Sequence, residues 1–520
     1  MRRSLTAIAV VLGLLVCADT TQAYPLDGFE STGIRRLWVQ RMIQEGKIPG
    51  KKRPPGELLP LDKVDLRLVD YPNFELPPID PELTKEVAKL LGVHADRYGI
   101  GLLDLSDMQH PRYAEWNGHM HQNPGSVGKL MVALAFFQEL ADAHPNDIEA
   151  RKRILRDTII TADIFSVRDF HTVPVWVPET RTLVRHPIQV GQKASLYTYL
   201  DWMLSPSSNS AAGMMEKQVI LLSVFGKDYP PSPAAEAKFF SETSRSELGK
   251  IFIKAIEEPI TRNGLNLKEL RQGSFFTHEG KKKVPGTNSY ATARELMNYM
   301  VKMEQGKLVD RFSSLEIKRL LYITERRIRY ASSGSLRKSA VYFKSGSLYS
   351  CEPEPGFTCT KYHGNKRNYM NSTAIVESPA GQGRLYYMTT VLSNVLRMNS
   401  AQDHRDLARA IQAMLLVDHP KKKLAPGEKP ASLTYGEGFI GYQSERQSVL
   451  LAVDTQEALL ALGYDIGNID GAIGKRTRGA IQTFQKSQGL NATGKTSENL
   501  VKTMRRVATE KGLARPTAGD

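Results

Sequence analysis

Ser126 and Lys129 lie three residues apart in NPGSVGKLMVALAFF (residues 123–137), where a turn-forming Asn-Pro-Gly runs into a small, apolar, helix-forming stretch. Serine is a weak nucleophile until a base takes its proton, and a lysine can do this when burial lowers its pKa. Positions i and i+3 share a helix face, so the two side chains point the same way from the first turn. Free N–H groups at a helix start would also favour a developing oxyanion at the serine. The same pair fits a capped helix with a snorkelling lysine. A second S-x-x-K, Ser335 to Lys338, occurs in SLRK. Downstream context separates the two copies. Ser126 is succeeded by Ser207-Ser208-Asn209, in SPSSNSAA, and then by Lys344-Ser345-Gly346, in FKSGS. Ser335 lies just before Lys344 with no S-x-N between, and fits a surface turn leading into a strand.

The elements that must position these residues are legible around them. YGIGLLDLSD, from Tyr98, reads as a strand ending in a turn. Residues 126–143, 195–204, 291–305 and 403–417 have helical spacing. Three strand candidates, SAVYFKSGSLYS, NSTAIVES and GRLYYMTTVLSNV, fall between the last two helices, and PAGQG joins the second to the third as a hairpin loop. A leading strand, central helices and a closing set of adjacent strands with a helix predict an α+β fold: an antiparallel sheet with helices packed on it.

The ordered set S-x-x-K, S-x-N, K-[ST]-G is the signature of the active-site-serine penicillin-recognising enzymes, and residues 81–418 resemble that superfamily of serine β-lactamases and D-Ala-D-Ala peptidases. The resemblance implies a β-lactamase/transpeptidase-like sheet flanked by helices, and roles residue by residue. Ser126 would be the acylated nucleophile and Lys129 its general base. Ser207 would relay a proton to the leaving nitrogen, and Asn209 would hydrogen-bond the substrate amide. Lys344 would supply positive potential and Ser345 would bind the substrate carboxylate. Gly346 would let the strand approach the substrate closely. The backbone N–H groups of Ser126 and Ser347 would form the oxyanion hole. No cofactor is implied.

Two departures bear on the reaction. Ser208 stands where the class A β-lactamases usually carry aspartate, and no E-x-x-L-N string, which holds their water-activating glutamate, occurs between Asn209 and Lys344. Glu242, Glu247 and Glu269 are available, but nothing in the sequence aims them at the serine. The interval from Ser126 to Ser207 is long, and the excess includes residues 161–187. Asp163, His171 and His186 in that stretch are irregularly spaced and read as structural or substrate-rim residues rather than metal ligands.

The chain has 520 residues, 41% hydrophobic and 24% charged, which suits a soluble globular protein of at least two domains. Its formal net charge of +15 suits an anionic partner such as nucleic acid, a membrane surface or a wall polymer. Residues 1–23 read as a secretory signal peptide: Arg2 and Arg3, an apolar run from Leu5 to Val16, then small residues at Thr21-Gln22-Ala23. A lipoprotein anchor at Cys17 is disfavoured by the bulky Val16. Removal of the segment would take two Arg and one Asp and leave +14. No later segment is long and apolar enough to span a membrane. Cys351 and Cys359, the remaining cysteines, are expected to form a local disulfide outside the cytoplasm.

Residues 24–80 read as a proline- and charge-rich N-terminal extension with one short helix near 34–45, residues 419–446 as a linker, 447–508 as a second unit and 509–520 as a tail. The second unit, with Leu459, Gly463, Tyr464, Asp470, Gly471, Thr477, Ile481, Phe484 and Gly494, resembles the small three-helix peptidoglycan-binding domain. Gly471, Gly474 and Gly494 are expected to supply turn conformations. Together the two resemblances imply a periplasmic or secreted serine hydrolase whose partner is peptidoglycan, not nucleic acid, and for which β-lactams are covalent ligands. A D-Ala-D-Ala carboxypeptidase or endopeptidase leads, because a free antibiotic needs no tether to the wall whereas a polymeric substrate does. A serine β-lactamase and a non-catalytic wall-binding protein are the alternatives.

Overall fold

Alternation along five strands builds the centre of the molecule. In the computed structural model, which describes residues 25–325, 327–419, 442–466 and 473–511, these are β1 (Tyr98–Asp104), β2 (Arg112–Trp116), β3 (Ala340–Ser350), β4 (Arg367–Ser378) and β5 (Leu385–Asn394). They pair antiparallel in the order β2-β1-β5-β4-β3. Side chains of period two feed two separate cores. Ala340 and Tyr342 of β3 and Met388 and Leu392 of β5 face one, while Val341, Phe343, Tyr387 and Val391 face the other. The fold is α+β, as the order of elements predicts.

Helices cover both faces. On one side lie α1 (Pro81–Leu91), through Leu83 and Val87, and the long closing helix, through Ile411 and Leu415. Asp80 caps α1 by accepting from the Leu83 N–H, and Pro81 occupies its first position. On the other side pack α2 (Lys129–Ala143), α3 (Asn209–Phe225) and α4 (Ala293–Glu304). The closing helix, α5 (Ser400–Asp418), begins at an Asn399 cap. Helix α2 is buried almost all round, Lys129 included. Each fully buried leucine in such a core contributes about 1.5–3 kcal/mol.

Residues 25–80 differ from a free extension. They contain the expected helix, at Arg35–Gln44, but Ile34, Leu37, Leu61, Val64 and Leu68 join the same core as α2 and α3. The prolines that give this segment its open composition instead route an irregular chain along the surface, with apolar side chains turned inward. Cys351 and Cys359 are disulfide-bonded just beyond β3.

The C-terminal unit has three helices, Tyr442–Ala461, Lys475–Ser487 and Glu498–Glu510, around its own core of Leu459, Ile466, Ile481, Phe484, Leu500 and Met504. The first helix starts ahead of the boundary expected at 447. Gly494 takes φ +67°, as its turn requires, whereas Gly474 has φ −74° and simply precedes its helix. The signal-peptide reading, Cys17, Asp470, Gly471 and most of the linker and tail lie outside the described residues. No described helix is long and apolar enough to cross a membrane.

Candidate active site

Ser126 stands in the turn before α2 rather than inside the helix. Gly125–Gly128 form one 3-10 turn, and the α-helix begins at Lys129. Pro124 and the two glycines make a poor first α-turn. Positions i and i+3 eclipse in a 3-10 turn, so the side chains meet all the same. Neighbouring β-structure fixes the turn. The Asn371 side chain, on β4, donates to the Asn123 carbonyl at 3.1 Å and accepts from Gln122 Nε2 at 2.7 Å, and Asn123 Oδ1 accepts the Gly125 N–H at 2.9 Å.

Lys129 Nζ donates to Ser126 Oγ at 2.8 Å, to Asn209 Oδ1 at 2.7 Å and to the Ser207 carbonyl at 3.2 Å. The Phe276 ring centroid lies 4.3 Å from the same nitrogen. The lysine is fully buried. Burial pushes its pKa down to about 7, helped by Arg329 and opposed by the charges of Asp169 and Glu216. A neutral amine 2.8 Å from a hydroxyl can accept that hydroxyl's proton near neutral pH.

The other two motifs converge on the same point. Lys344 Nζ donates to Ser207 Oγ at 2.7 Å and to the Ser345 carbonyl at 3.1 Å. Burial, reinforced by Lys129 and Arg329, holds Lys344 well below its ordinary value. Ser207 has φ +64°, a left-handed conformation costly for serine. Gly346 is required on steric grounds: a Cβ there would sit 2.3 Å from the Pro124 carbonyl oxygen and 2.5 Å from the Ser126 nitrogen. The strand thus lies directly against the backbone that carries Ser126. Ser347 N lies 3.2 Å from where a Cβ on Gly125 would be, so the Ser126 and Ser347 amides line one seam.

Two residues completing the site carry no local sequence signal. Arg329 donates to Ser345 Oγ at 2.7 Å, to Ser347 Oγ at 2.9 Å and to the Tyr362 hydroxyl at 3.1 Å. Its guanidinium charge, placed against Ser345 and Ser347, favours an anionic ligand there. Asp169 takes up the space beside Ser208. Its Oδ2 accepts from Ser208 Oγ at 2.9 Å and from the N–H groups of Asn209 and Ser210 at 2.7 and 3.0 Å, while His171 Nδ1 lies 2.6 Å from Oδ1. Burial opposes the Asp169 charge, but bonds from His171 and these amides hold its carboxyl below the usual range. A carboxylate from the long interval therefore sits at the start of α3 where Ser208 brings none.

The remaining sequence candidates fall elsewhere. Ser335 and Lys338 are exposed in the turn before β3. Glu242 and Glu247 are exposed, and Glu269 bonds His119 and Thr292. Asp163 caps a short turn at Phe165 and pairs with Lys217, and His186 bonds the Pro187 carbonyl. Among the described residues, no group of three His, Cys, Asp or Glu side chains could hold a metal ion.

Residues 452–504 match a family model described as "Putative peptidoglycan binding domain". No curated protein matches the chain. Solved structures similar to it include a β-lactamase from Sphaerobacter thermophilus, at 13% identity over 65% of this chain and 97% of that one, TM-score 0.41. A representative class A β-lactamase from Bacteroides cellulosilyticus has 13% identity over 64% and 99%, TM-score 0.42. PBP-A has 13% identity over 66% and 99%, TM-score 0.39. At this identity and TM-score no residue role rests on the likeness.

Proposed function

We propose that the chain is a serine acyl-transfer enzyme of the cell envelope that acts on peptidoglycan stem peptides through an acyl-enzyme on Ser126, as a D-Ala-D-Ala carboxypeptidase or endopeptidase. The observation that carries this reading is the buried Lys129, with a pKa lowered to about 7, 2.8 Å from Ser126 Oγ. Lys129 takes the Ser126 proton as Oγ attacks the penultimate D-Ala carbonyl. The amides of Ser126 and Ser347 receive the oxyanion. Ser207, held by Lys344, passes a proton to the departing D-Ala nitrogen. Ser345, Ser347 and Arg329 bind the terminal carboxylate, and Asn209 orients the peptide amide. Water then releases the acyl group. The peptidoglycan-binding match at residues 452–504 supports a polymeric wall substrate.

Fast β-lactam hydrolysis is disfavoured by what surrounds Lys129. Its hydrogen-bond partners are a hydroxyl, an amide oxygen and a carbonyl rather than a carboxylate, and the Phe276 ring packs against it. The test is mass spectrometry of purified peptidoglycan fragments incubated with wild type and Ser126→Ala. Loss of the terminal D-Ala or of cross-links with wild type alone supports the assignment. Unchanged fragments would leave a wall-binding protein without this activity.

A further inference from the structure

The loops bearing Ser207 and Arg329 both depart from ordinary backbone, with φ +64° and +52° at those residues. Such conformations persist only where the surroundings over-determine them. The N-terminal segment ties down the chain just ahead of each of them. Arg36, in the helix Arg35–Gln44, is buried. Its Nε donates to Asp201 Oδ2 at 2.7 Å, and its Nη2 bonds Asp201 Oδ1, the Ile323 carbonyl at 2.7 Å and, more weakly, Ser205 Oγ at 3.5 Å. Asp201 lies in the helix Leu196–Leu204 that leads directly into Ser205-Pro206-Ser207. Ile323 opens the stretch that leads to Arg329. The two stretches are also tied to each other, because the Glu325 N–H donates to Ser205 Oγ at 2.5 Å. Arg53, from the same N-terminal segment, donates to the Glu325 carbonyl at 2.6 Å.

We infer that Arg36 is a positioning residue: one planar guanidinium, brought in by the N-terminal segment, sets the Ser207 loop and the Arg329 loop at their working separation. A buried ion pair is weak evidence for stability, and a registry role is its better-attested use. The fork geometry matters, since a lysine offers a point charge and cannot hold the same acceptors in one plane. The inference rests on the roles proposed for Ser126, Ser207 and Arg329.

Arg36→Met alone would strand the buried Asp201 carboxylate, so the informative variant is Arg36→Met with Asp201→Leu, which removes both charges. Thermal melts and acylation by fluorescent penicillin, at limiting and saturating concentrations and across pH, are measured on the full chain. The folded double variant is expected to lose between about ten- and a hundredfold in the saturating acylation rate. The acid limb of its pH profile should move upward as water reaches Lys129. Arg36→Lys is expected to lose rate in the same direction. Wild-type rate and pH profile in the folded double variant, or in Arg36→Lys if the double variant does not fold, overturn the inference. Absence of an adduct in wild type overturns the reading of Ser126 and this inference with it.

Discussion

Lys129 shows how a single residue's chemistry depends on where the chain puts it. An exposed lysine would be an ammonium at neutral pH and no base. Desolvation at the head of α2 brings its pKa to about 7. Because the neutral form is the competent one, acylation of Ser126 should rise with pH through about 7 and fall away below it, which a stopped-flow pH series with a chromogenic penicillin would check. Lys129→Ala should lower the acylation rate by about 10²–10⁴-fold, the usual worth of a positioned general base. For Arg329 the expected effect is on binding instead. Losing charged hydrogen bonds to a carboxylate costs about 1.5–3 kcal/mol, so Arg329→Gln should raise the half-saturating substrate concentration by about 10–100-fold while the saturating rate changes less. Ser126, Lys129, Ser207, Asn209, Lys344 and Ser345 are legible in the sequence because each belongs to a short motif. Arg329 and Asp169 are not, because folding brings them to the site from stretches whose local sequence names no partner.

At the scale of elements, the site is a junction of one turn, one helix start and one strand. The turn of Ser126 and strand β3 touch through Gly346, and this contact has no room for a methyl group. Gly346→Ala should destabilise the fold by about 1–3 kcal/mol, read from denaturant melts, and should also slow acylation by moving the Ser126 backbone. Helix α3 depends on Asp169 as well as on its own Ser208 cap. The periodicities of β3, β5 and the central helices predicted the α+β arrangement, because alternation and helical spacing record which faces are buried. They could not show that α2 begins at Lys129 behind a 3-10 turn, since the difference lies in backbone hydrogen bonding at Pro124 and its neighbouring glycines. Nor could composition show that residues 25–80 belong to the main core. Only the placement of Leu37, Leu61 and Leu68 inside it does so.

At the scale of the whole molecule, two units have separate cores. The larger carries the candidate nucleophile, and the smaller matches a peptidoglycan-binding model. Truncation after residue 419 should leave penicillin acylation unchanged and reduce co-sedimentation with insoluble peptidoglycan, because tethering raises local substrate concentration without altering the site. The central claim is that Ser126 is the nucleophile, and it is tested most directly by peptide mass spectrometry of the full-length protein after incubation with a labelled penicillin. The expected result is one adduct, located on the peptide that contains Ser126 and lost in Ser126→Ala. No adduct on the wild type, or an undiminished adduct on Ser126→Ala, would contradict it.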